Sequence, residues 1–283
     1  MKSRILGVVK NIVRRTTPVW LRRRVWDLFV RRYFDRASIK AIVAYARSSG
    51  REQPIDVQRL ITILQENRYR PVYGLINKEL NLDFKGYSSQ DLIAYLYFNG
   101  KTSGFFIDIG AFDGVEISNT YALERLGWEG ICIEPIPEIF SLLQKNRNCH
   151  KYNVAVSSVT KSDASFVKVS KLLGLSGLEQ QMPERIKKGL EQQGHEVEKI
   201  IVNSMTFADV MKNHPGVDHV DFLSIDVEGG ELDVLDTIDF ARYRFGLITI
   251  ENNAGTAILR DYMSQHGYVI FLDLGVDLMF IPG

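Results

Sequence analysis

The sequence is poor in cysteine and has no long hydrophobic run. Its 283 residues include only Cys132 and Cys149, too few for a disulfide framework or a structural zinc site. No stretch approaches the roughly 18 apolar residues that span a bilayer. The apolar runs near the amino terminus are interrupted by Lys10, Arg14 and Arg15, so we expect no secretory signal. These absences predict a globular protein of a reducing compartment, the cytoplasm.

Net charge is also small, but the charges are unevenly distributed. The chain has 35 Lys and Arg against 34 Asp and Glu residues, whereas residues 1–40 contain twelve basic and two acidic ones. Residues 18–34 place apolar side chains on one arc at about 100° per residue. The basic segment 1–36 therefore resembles an amphipathic helix that binds an anionic membrane surface, here the inner face. Packing on the same domain, or on a second copy in a homo-oligomer, explains the arc equally well. No nucleic-acid motif accompanies it, so we expect no nucleic-acid partner.

Hydrophobic periodicity divides the rest of the chain into two parts. Residues 37–100 have helical spacing, with a helix that starts near Ser88 or Ser89 and ends before Asn99. From Phe105 onward strands and helices alternate, which predicts an α/β domain over 101–283 with a doubly wound, mostly parallel sheet. We predict strands at 105–109, 130–134, 153–156, 220–226 and 246–251, and helices at 117–126, 138–146, 206–213, 230–237 and 256–266.

Two further features complete this predicted domain. The strands 268–273 and 277–282 should form a terminal hairpin. An insertion at about 160–219 separates the third and fourth strands, and its middle is polar. Because loops of this length are usually lids or binding loops, we expect the insertion to determine substrate specificity.

The segment 105–114, Phe-Phe-Ile-Asp-Ile-Gly-Ala-Phe-Asp-Gly, contains the most informative motif. A buried parallel strand ends in Asp108, and a tight turn through Gly110 and Gly114 follows. A dinucleotide fingerprint would have glycine at position 108, where pyrophosphate lies close to the backbone. A carboxylate there repels phosphate and favours a cation. The motif therefore predicts S-adenosylmethionine, a sulfonium with a free amino group, although a strand and turn without a ligand gives the same pattern.

The second strand also ends in an acid, Glu134, which lies 26 residues beyond Asp108. In doubly wound sheets an acid at this place accepts hydrogen bonds from ribose hydroxyls. Adenosine occurs in both nicotinamide cofactors and S-adenosylmethionine, so Glu134 alone does not distinguish them. A helix-capping or solvated glutamate is the simpler alternative.

Acidic and amide side chains follow the fourth and fifth predicted strands. Asp226 and Glu228 end one strand, and Glu251 and Asn252 end the next. Since the carboxyl ends of parallel strands meet at one edge of a sheet, we expect these side chains to lie together. Asp226, Glu251 and Asn252 would then offer three oxygen ligands to Mg²⁺ or another hard divalent cation. Capping of the following helices is the competing interpretation.

Five blocks of the sequence together resemble the FkbM-type S-adenosylmethionine-dependent methyltransferases. They extend from about Tyr87 to the carboxyl end and leave residues 1–86 uncovered. Gly230 stands where many members have histidine, so a histidine mechanism at that position is untenable. The blocks are Tyr87–Asp91, Phe106–Gly114 with Ser118–Thr120, Gly127–Trp128 with Ile131–Pro135, Asn153–Ser157, and Asp221–Gly229.

The resemblance implies a class I, Rossmann-like methyltransferase that transfers a methyl group to a hydroxyl of a sugar, glycan or glycosylated natural product, as in polysaccharide biosynthesis. It places Asp226 beside the sulfonium and the incoming hydroxyl, and we predict catalytic roles for Asp226, Glu228 and Glu251 because their carboxyl groups could accept the proton of that hydroxyl. Two other functions stay open at this point: a nicotinamide-dependent oxidoreductase, and a non-catalytic scaffold that docks at a membrane. The cofactor-binding residues that the resemblance implies are Gln90, Asp108, Gly110, Ala111, Asp113, Asn119, Glu134, Pro135 and Asp226.

Overall fold

The computed structural model divides the chain after Leu82, and the elements named below belong to the unit Asp83–Gly283. The predicted basic segment 1–36 and most of the helical region 37–100 lie outside the described residues, so their predicted boundaries stay predictions. Among the helices that are described, none combines the length and the apolar character needed to cross a membrane. The structure describes residues 80–169, 176–182 and 195–283, with Asn77, Glu184, Lys188 and Gly189.

Strands and helices alternate along most of this unit. The strands are β1 Phe105–Ile109, β2 Glu129–Ile133, β3 His150–Tyr152, β4 Ala155–Val156, β5 Lys161–Val169, β6 Gly177–Leu178, β7 Val197–Met205, β8 His219–Ile225, β9 Arg244–Glu251, β10 Tyr268–Asp273 and β11 Asp277–Pro282. The helices are α1 Gln90–Tyr97, α2 Tyr121–Leu126, α3 Pro137–Asn146, α4 Phe207–Met211, α5 Glu231–Leu235 and α6 Thr256–Gln265.

The larger sheet has seven strands in the order β10-β11-β9-β8-β1-β2-β3. The five strands from β9 to β3 are parallel, whereas β11 is antiparallel to both β9 and β10. This arrangement confirms the predicted α/β fold with its mostly parallel sheet and terminal hairpin. The strand order reverses beside β1, and in open sheets of this kind ligands bind where the carboxyl ends of the strands meet such a reversal. We call this edge of the larger sheet the carboxyl edge.

The side chains of the central strands alternate between the two faces of the larger sheet, and near the carboxyl ends of β1 and β8 the second face carries polar side chains. Ile107 and Ile109 pack with Leu223 and Ile225 in one hydrophobic core, together with residues of β2, β9 and the helices α4 to α6. The residues between them point to the other face, because successive side chains of a strand alternate. Asp108 is one of these, and the sheet register places it beside Ser224 on β8.

The third predicted strand, 153–156, is wrong in its details. The larger sheet ends at β3, which stops at Tyr152, and Ala155 and Val156 begin a second sheet with the order β4-β7-β5-β6. Between them Asn153 leaves the ladder, and its side-chain Nδ2 donates to the carbonyl oxygens of Glu134 (2.9 Å) and Pro135 (3.0 Å). The chain therefore crosses from one sheet to the other at Asn153.

The second sheet lies in the segment for which the sequence predicted only a long insertion. Its strands β5 and β7 have nine residues each and pair antiparallel. Ala164, Phe166 and Val202 are buried in a small core with Ile136 and Ile139. In both strands buried side chains alternate with more exposed ones over a short stretch. A strongly polar tract lies between the two strands, and its composition favoured the prediction of a long loop. A role of the insertion in specificity stays a prediction.

Candidate active site

A cavity of about 570 Å³ opens at the carboxyl edge, within the range of roughly 300–1,000 Å³ typical of small-molecule sites. Most of the predicted site residues line it, whereas Asp113 and Asn252 do not. The predicted residues in the lining are Gln90, Asp108, Gly110, Ala111, Asn119, Glu134, Pro135, Asp226, Glu228 and Glu251.

The turn after β1 brings two of these residues into contact through the backbone. Gly110 has a φ of +88°, and a Cβ at this position would lie 1.8 Å from the carbonyl oxygen of Asp226. The backbone N–H of Asp226 donates to the carbonyl of Ile109 at 3.0 Å. Only glycine permits this approach. The glycine of the motif therefore holds the ends of β1 and β8 together, a use that the sequence alone did not reveal.

Asp108 is buried beneath the turn with its charge compensated. Its Oδ2 accepts a 2.6 Å hydrogen bond from the hydroxyl of Thr120. The guanidinium of Arg147, itself only 2% exposed, donates to the same hydroxyl at 3.0 Å and to the carbonyl of Gly114 at 3.0 Å. Burial raises the pKa of Asp108, while Thr120 and Arg147 act in the opposite direction. Sequence reasoning missed Arg147, because nothing near it in the chain marks an arginine as buried.

Asn119 lines the cavity and has a buried hydrogen-bond acceptor without a partner. Its Nδ2 donates to the hydroxyl of Ser224 at 3.1 Å, while its Oδ1 is buried without a partner. A buried acceptor without a donor costs roughly 1–3 kcal/mol, which a ligand that brings an N–H group would recover. Asn119 is therefore suited to hold an ammonium group.

Asp113 shapes the loop rather than the cavity. Its Oδ1 accepts from the backbone N–H groups of Val115 (2.8 Å) and Glu116 (2.7 Å). The carbonyl of Asp113 accepts from the side chain of Asn146 at 2.8 Å. An aspartate that bonds its own downstream backbone forms an Asx turn, and the Asp-Gly sequence is the signal that could have indicated it.

Glu134 follows β2 and is 5% exposed. Its Oε1 accepts from the backbone N–H of Ile136 at 2.8 Å. Burial raises the pKa of Glu134 to about 7, despite this hydrogen bond. A carboxylate held at the end of the second strand is placed to accept hydrogen bonds from a pair of ribose hydroxyls.

Carboxyl groups crowd together on the other side of the cavity. Asp226, Glu228 and Glu251 each offer an oxygen within 4.8 Å of the others. Burial, followed by the charge of Asp277, raises the pKa of Asp226 to about 7. Burial, followed by the charge of Asp226, raises the pKa of Glu251 to about 11. Near neutral pH Glu251 therefore keeps its proton and shares it with Asp226.

Two supporting contacts fix this group of carboxyls. The side-chain Nδ2 of Asn253 donates to Glu251 and, at 3.3 Å, to Oε1 of the fully buried Glu231.

Glu228 has a φ of +58°, which is uncommon for a residue with a side chain and is often found where a site imposes strain.

Two of the three predicted metal ligands, Asp226 and Glu251, lie close together, and Glu228 is a third carboxylate beside them. These three carboxylates could hold a hard divalent cation. The Nδ2 of Asn252 donates to the hydroxyl of Thr256 at 2.9 Å, and Asn252 does not line the cavity. The predicted set with Asn252 stays a prediction.

Asp277 is a further acid at this edge that sequence reasoning missed. It begins β11, lies opposite Glu251 in the antiparallel ladder and lines the cavity. Burial raises its pKa to about 6. Its Oδ2 accepts from Nε2 of Gln90 at 2.7 Å. The predicted terminal hairpin could have indicated Asp277. An antiparallel last strand begins at the edge of the sheet where the parallel strands end, so its first residue lies beside the site.

The described lining of the cavity carries acidic side chains and no Lys, Arg or His. A site of this sign favours ligands with a net positive charge. The seven acidic residues are Asp108, Glu116, Glu134, Asp226, Glu228, Glu251 and Asp277.

Residues 108–270, more than half of the chain, match the family described as "Methyltransferase FkbM domain". The chain belongs to the FkbM methyltransferase family. The resemblance seen in the sequence blocks is thereby confirmed, and with it methyl transfer that depends on S-adenosylmethionine. Family membership also argues against the nicotinamide oxidoreductase that the sequence alone left open.

Similar solved structures share little sequence with this FkbM-family chain. A proposed RNA methyltransferase from Pyrococcus horikoshii has 13% identity and a TM-score of 0.37, over 86% of this chain and 98% of that one. The methyltransferase domain of METTL16 has 12% identity and a TM-score of 0.38, over 88% and 92%. CalO1, a methyltransferase in calicheamicin biosynthesis in its S-adenosylhomocysteine-bound form, has 10% identity and a TM-score of 0.34, over 95% and 74%. The curated proteins contain no significant match.

The residues of this FkbM-family cavity fit the family's cofactor. The free acceptor of Asn119 suits the ammonium group, and the buried carboxyls of Asp108 and Glu134 suit the sulfonium side and the ribose hydroxyls. The absence of basic side chains from the described lining agrees with a cationic ligand. The individual roles of these residues stay predictions.

Proposed function

We propose that this chain methylates a hydroxyl group of a sugar, a glycan or a glycosylated natural product. The observation that carries this proposal is Asp226, a carboxyl with a pKa of about 7 at the contact between the glycine turn and β8. A neutral hydroxyl is a weak nucleophile, so its proton must leave as the new bond forms. General bases with a pKa near the working pH perform this step most effectively.

Within this proposal, S-adenosylmethionine supplies an electrophilic methyl group on a sulfonium sulfur. Asp226 accepts the proton of the acceptor hydroxyl. Glu251, which keeps its own proton near neutral pH because its pKa is raised, donates to Asp226 and orients it. Holding the hydroxyl about 3 Å from the methyl carbon and in line with the sulfur supplies much of the rate.

A divalent cation held by Asp226, Glu228 and Glu251 is a second way to remove the proton, since a bound metal ion lowers the pKa of a hydroxyl. The two ways differ in one experiment. EDTA slows cation-assisted transfer, and added Mg²⁺ restores it. If EDTA leaves the rate unchanged, Asp226 removes the proton of the hydroxyl without a cation.

The proposed reaction is tested with S-adenosylmethionine that carries a tritiated methyl group. The full chain is incubated with extracted polysaccharide, glycolipid and nucleotide-sugar pools, and the product is treated with acid and with base. We expect label that resists both, as a methyl ether does. Label that base releases, as from a methyl ester, contradicts transfer to a hydroxyl.

The basic segment 1–36 adds a proposal about location. Its charge and its apolar arc support docking of the enzyme at an anionic inner membrane face, where lipid-linked glycans would be accessible. Binding to vesicles that contain phosphatidylglycerol, compared with phosphatidylcholine vesicles, tests this. Deletion of residues 1–36 should abolish the binding, and a truncated chain that binds equally well contradicts it.

A further inference from the structure

Three exposed apolar side chains surround the mouth of the cavity. Tyr87 is 72% exposed, Val276 is 50% exposed and Ile117 is 40% exposed, and all three line the cavity. They come from three separate segments: the loop before α1, the turn between β10 and β11, and the loop between β1 and α2. We call these three residues the apolar rim. Exposed apolar side chains that converge on one opening usually mark a binding surface.

The loop that carries Tyr87 is fixed by hydrogen bonds on both sides. The buried carboxylate of Asp91 accepts from the backbone N–H groups of Lys85 (2.5 Å) and Gly86 (3.0 Å). On the other side, Oε1 of Gln90 accepts from the backbone N–H of Ser88 at 2.8 Å. The backbone on both sides of Tyr87 is therefore held in place, and its side chain is exposed at the mouth. A backbone positioned in advance reduces the entropy that is lost when a ligand binds.

Ile117 has a backbone conformation that also needs an explanation. Its φ is +51°, a genuine outlier for a β-branched residue. Such strain persists where the surrounding structure imposes it, and it clusters at ligand-binding sites.

The floor beneath the apolar rim is acidic. Asp226, Glu251 and Asp277 lie inside, and Glu116 is exposed at the opening. Among the described lining residues there is no basic side chain that could neutralise a phosphate, sulfate or carboxylate of an acceptor. Glu251 keeps its proton near neutral pH, so an anionic group near the reacting hydroxyl would meet mainly the charge of Asp277 and of the ionised fraction of Asp226. A sugar ring is uncharged and presents C–H groups to an aromatic face.

We infer that the apolar rim binds the non-reacting part of the methyl acceptor, and that this acceptor carries no anionic group beside the hydroxyl that is methylated. The inference rests on the proposed function and narrows its substrate class to uncharged, hydroxyl-bearing molecules with an apolar face. Nucleotide sugars and sugar phosphates then lie outside the range of acceptors.

The first test separates acceptors by charge. Glycan, glycolipid and nucleotide-sugar extracts are divided by anion exchange into uncharged and anionic fractions, and each is incubated with the full chain and tritiated S-adenosylmethionine. We expect the label in the uncharged fraction. Label confined to the anionic fraction overturns the inference and leaves the proposed methyl transfer standing. Label in neither fraction, from protein that binds S-adenosylhomocysteine, contradicts the proposed function and the inference together.

The second test changes the apolar rim. With the purified labelled acceptor, Tyr87→Ala should raise KM about tenfold, while kcat and the Kd of S-adenosylhomocysteine stay within twofold. Tyr87→Phe, which keeps the ring, should recover most of that loss. Ile201→Ala is the matched control, because Ile201 is 65% exposed and does not line the cavity. An unchanged KM for Tyr87→Ala overturns the role of the rim.

A third variant tests the charge at the opening. Glu116→Lys places a cation at the mouth and should increase the labelling of the anionic fraction relative to the uncharged one. Glu129→Lys is the control, since Glu129 is exposed at the first residue of β2, at the opposite end of the strand from Glu134. The measured quantity is the ratio of label in the anionic fraction to label in the uncharged fraction. The electrostatic part of the inference is overturned when this ratio is the same for Glu116→Lys, Glu129→Lys and the unchanged chain.

Discussion

Asp108, near the end of β1, and Asp226, directly after β8, lie at the same edge of the sheet, yet their surroundings are opposite. Asp108 accepts from Thr120 and lies near the buried guanidinium of Arg147. The charges that act most strongly on Asp226 are those of other carboxyl groups, Asp277 first among them. One acid is compensated and fixed, and the other is left uncompensated.

This difference divides the cavity into two halves by their chemistry. A carboxyl that accepts from Thr120 near a buried guanidinium suits binding of a cationic cofactor, because both groups favour its ionised form against the effect of burial. An uncompensated carboxyl with a pKa of about 7 gains and loses a proton readily. The half around β1 is therefore suited to hold the cofactor, and the half around β8, β9 and β11 is suited to proton transfer.

Asp226→Asn should produce the largest effect on activity. Removal of the base should lower kcat by a factor of about 10²–10⁴ and leave the Kd of S-adenosylhomocysteine within a few fold. Asp218→Asn, at the exposed start of β8, is the matched control and should retain activity. Full turnover by Asp226→Asn would remove the distinction between the two acids.

The same variant should not destabilise the protein. A carboxyl whose pKa is raised by folding contributes stability below its unfolded pKa, and this contribution is lost as the pH rises through the folded value. For Asp226 that window extends up to about pH 7. At pH 8 the asparagine avoids an ionised carboxylate among other acidic groups in a partly buried place, so we expect Tm to stay equal or to rise by a few degrees. A fall of several degrees would mean that Asp226 is compensated after all.

Arg147→Met sharpens the comparison from the compensated side. It removes the buried cation that bonds Thr120, Gly114 and Glu124. Breaking a buried ion pair by removing one partner costs about 3–5 kcal/mol, so urea unfolding should show a loss of this size. Arg260→Met, an exposed pair with its neighbour Asp261, should cost less than about 1 kcal/mol. Equal losses would show that Arg147 is not the compensating charge.

Much of the larger sheet could be predicted, because buried parallel strands appear in the sequence as apolar runs. The runs that end at Asp108 and Asp226 gave strand bounds within one residue of those observed. Their position at one edge then followed from the topology of alternating strands and helices. For this reason most of the predicted residues were found in one cavity.

Contacts between distant parts of the chain could not be predicted in this way. Asp277 meets Gln90 across 187 positions, and the carbonyl of Asp226 determines why residue 110 must be glycine. Neither contact leaves a local pattern. The strands β5 and β7 were missed because a polar tract lies between them.

Glu134 predicts a moderate dependence of cofactor affinity on pH. Its pKa of about 7 in the free protein means that protons compete with ribose hydroxyls for the carboxylate. The Kd of S-adenosylhomocysteine, which lacks the sulfonium charge, should fall by about tenfold from pH 6 to pH 8. Glu134→Gln should bind S-adenosylhomocysteine more weakly, and its Kd should no longer depend on pH. If the Kd of this variant keeps the same pH profile, the dependence belongs to another group.

Asp277→Asn should have the smallest effect and tests whether repulsion keeps Asp226 uncompensated. Asp277 acts on Asp226 through its charge, so its removal should lower the pKa of that base. The rise of kcat with pH should then move to lower pH, by on the order of one unit or less. A merely structural role for Asp277 would reduce activity at every pH without this displacement. Asp273→Asn, four residues away at the exposed end of β10, should leave the profile where it is.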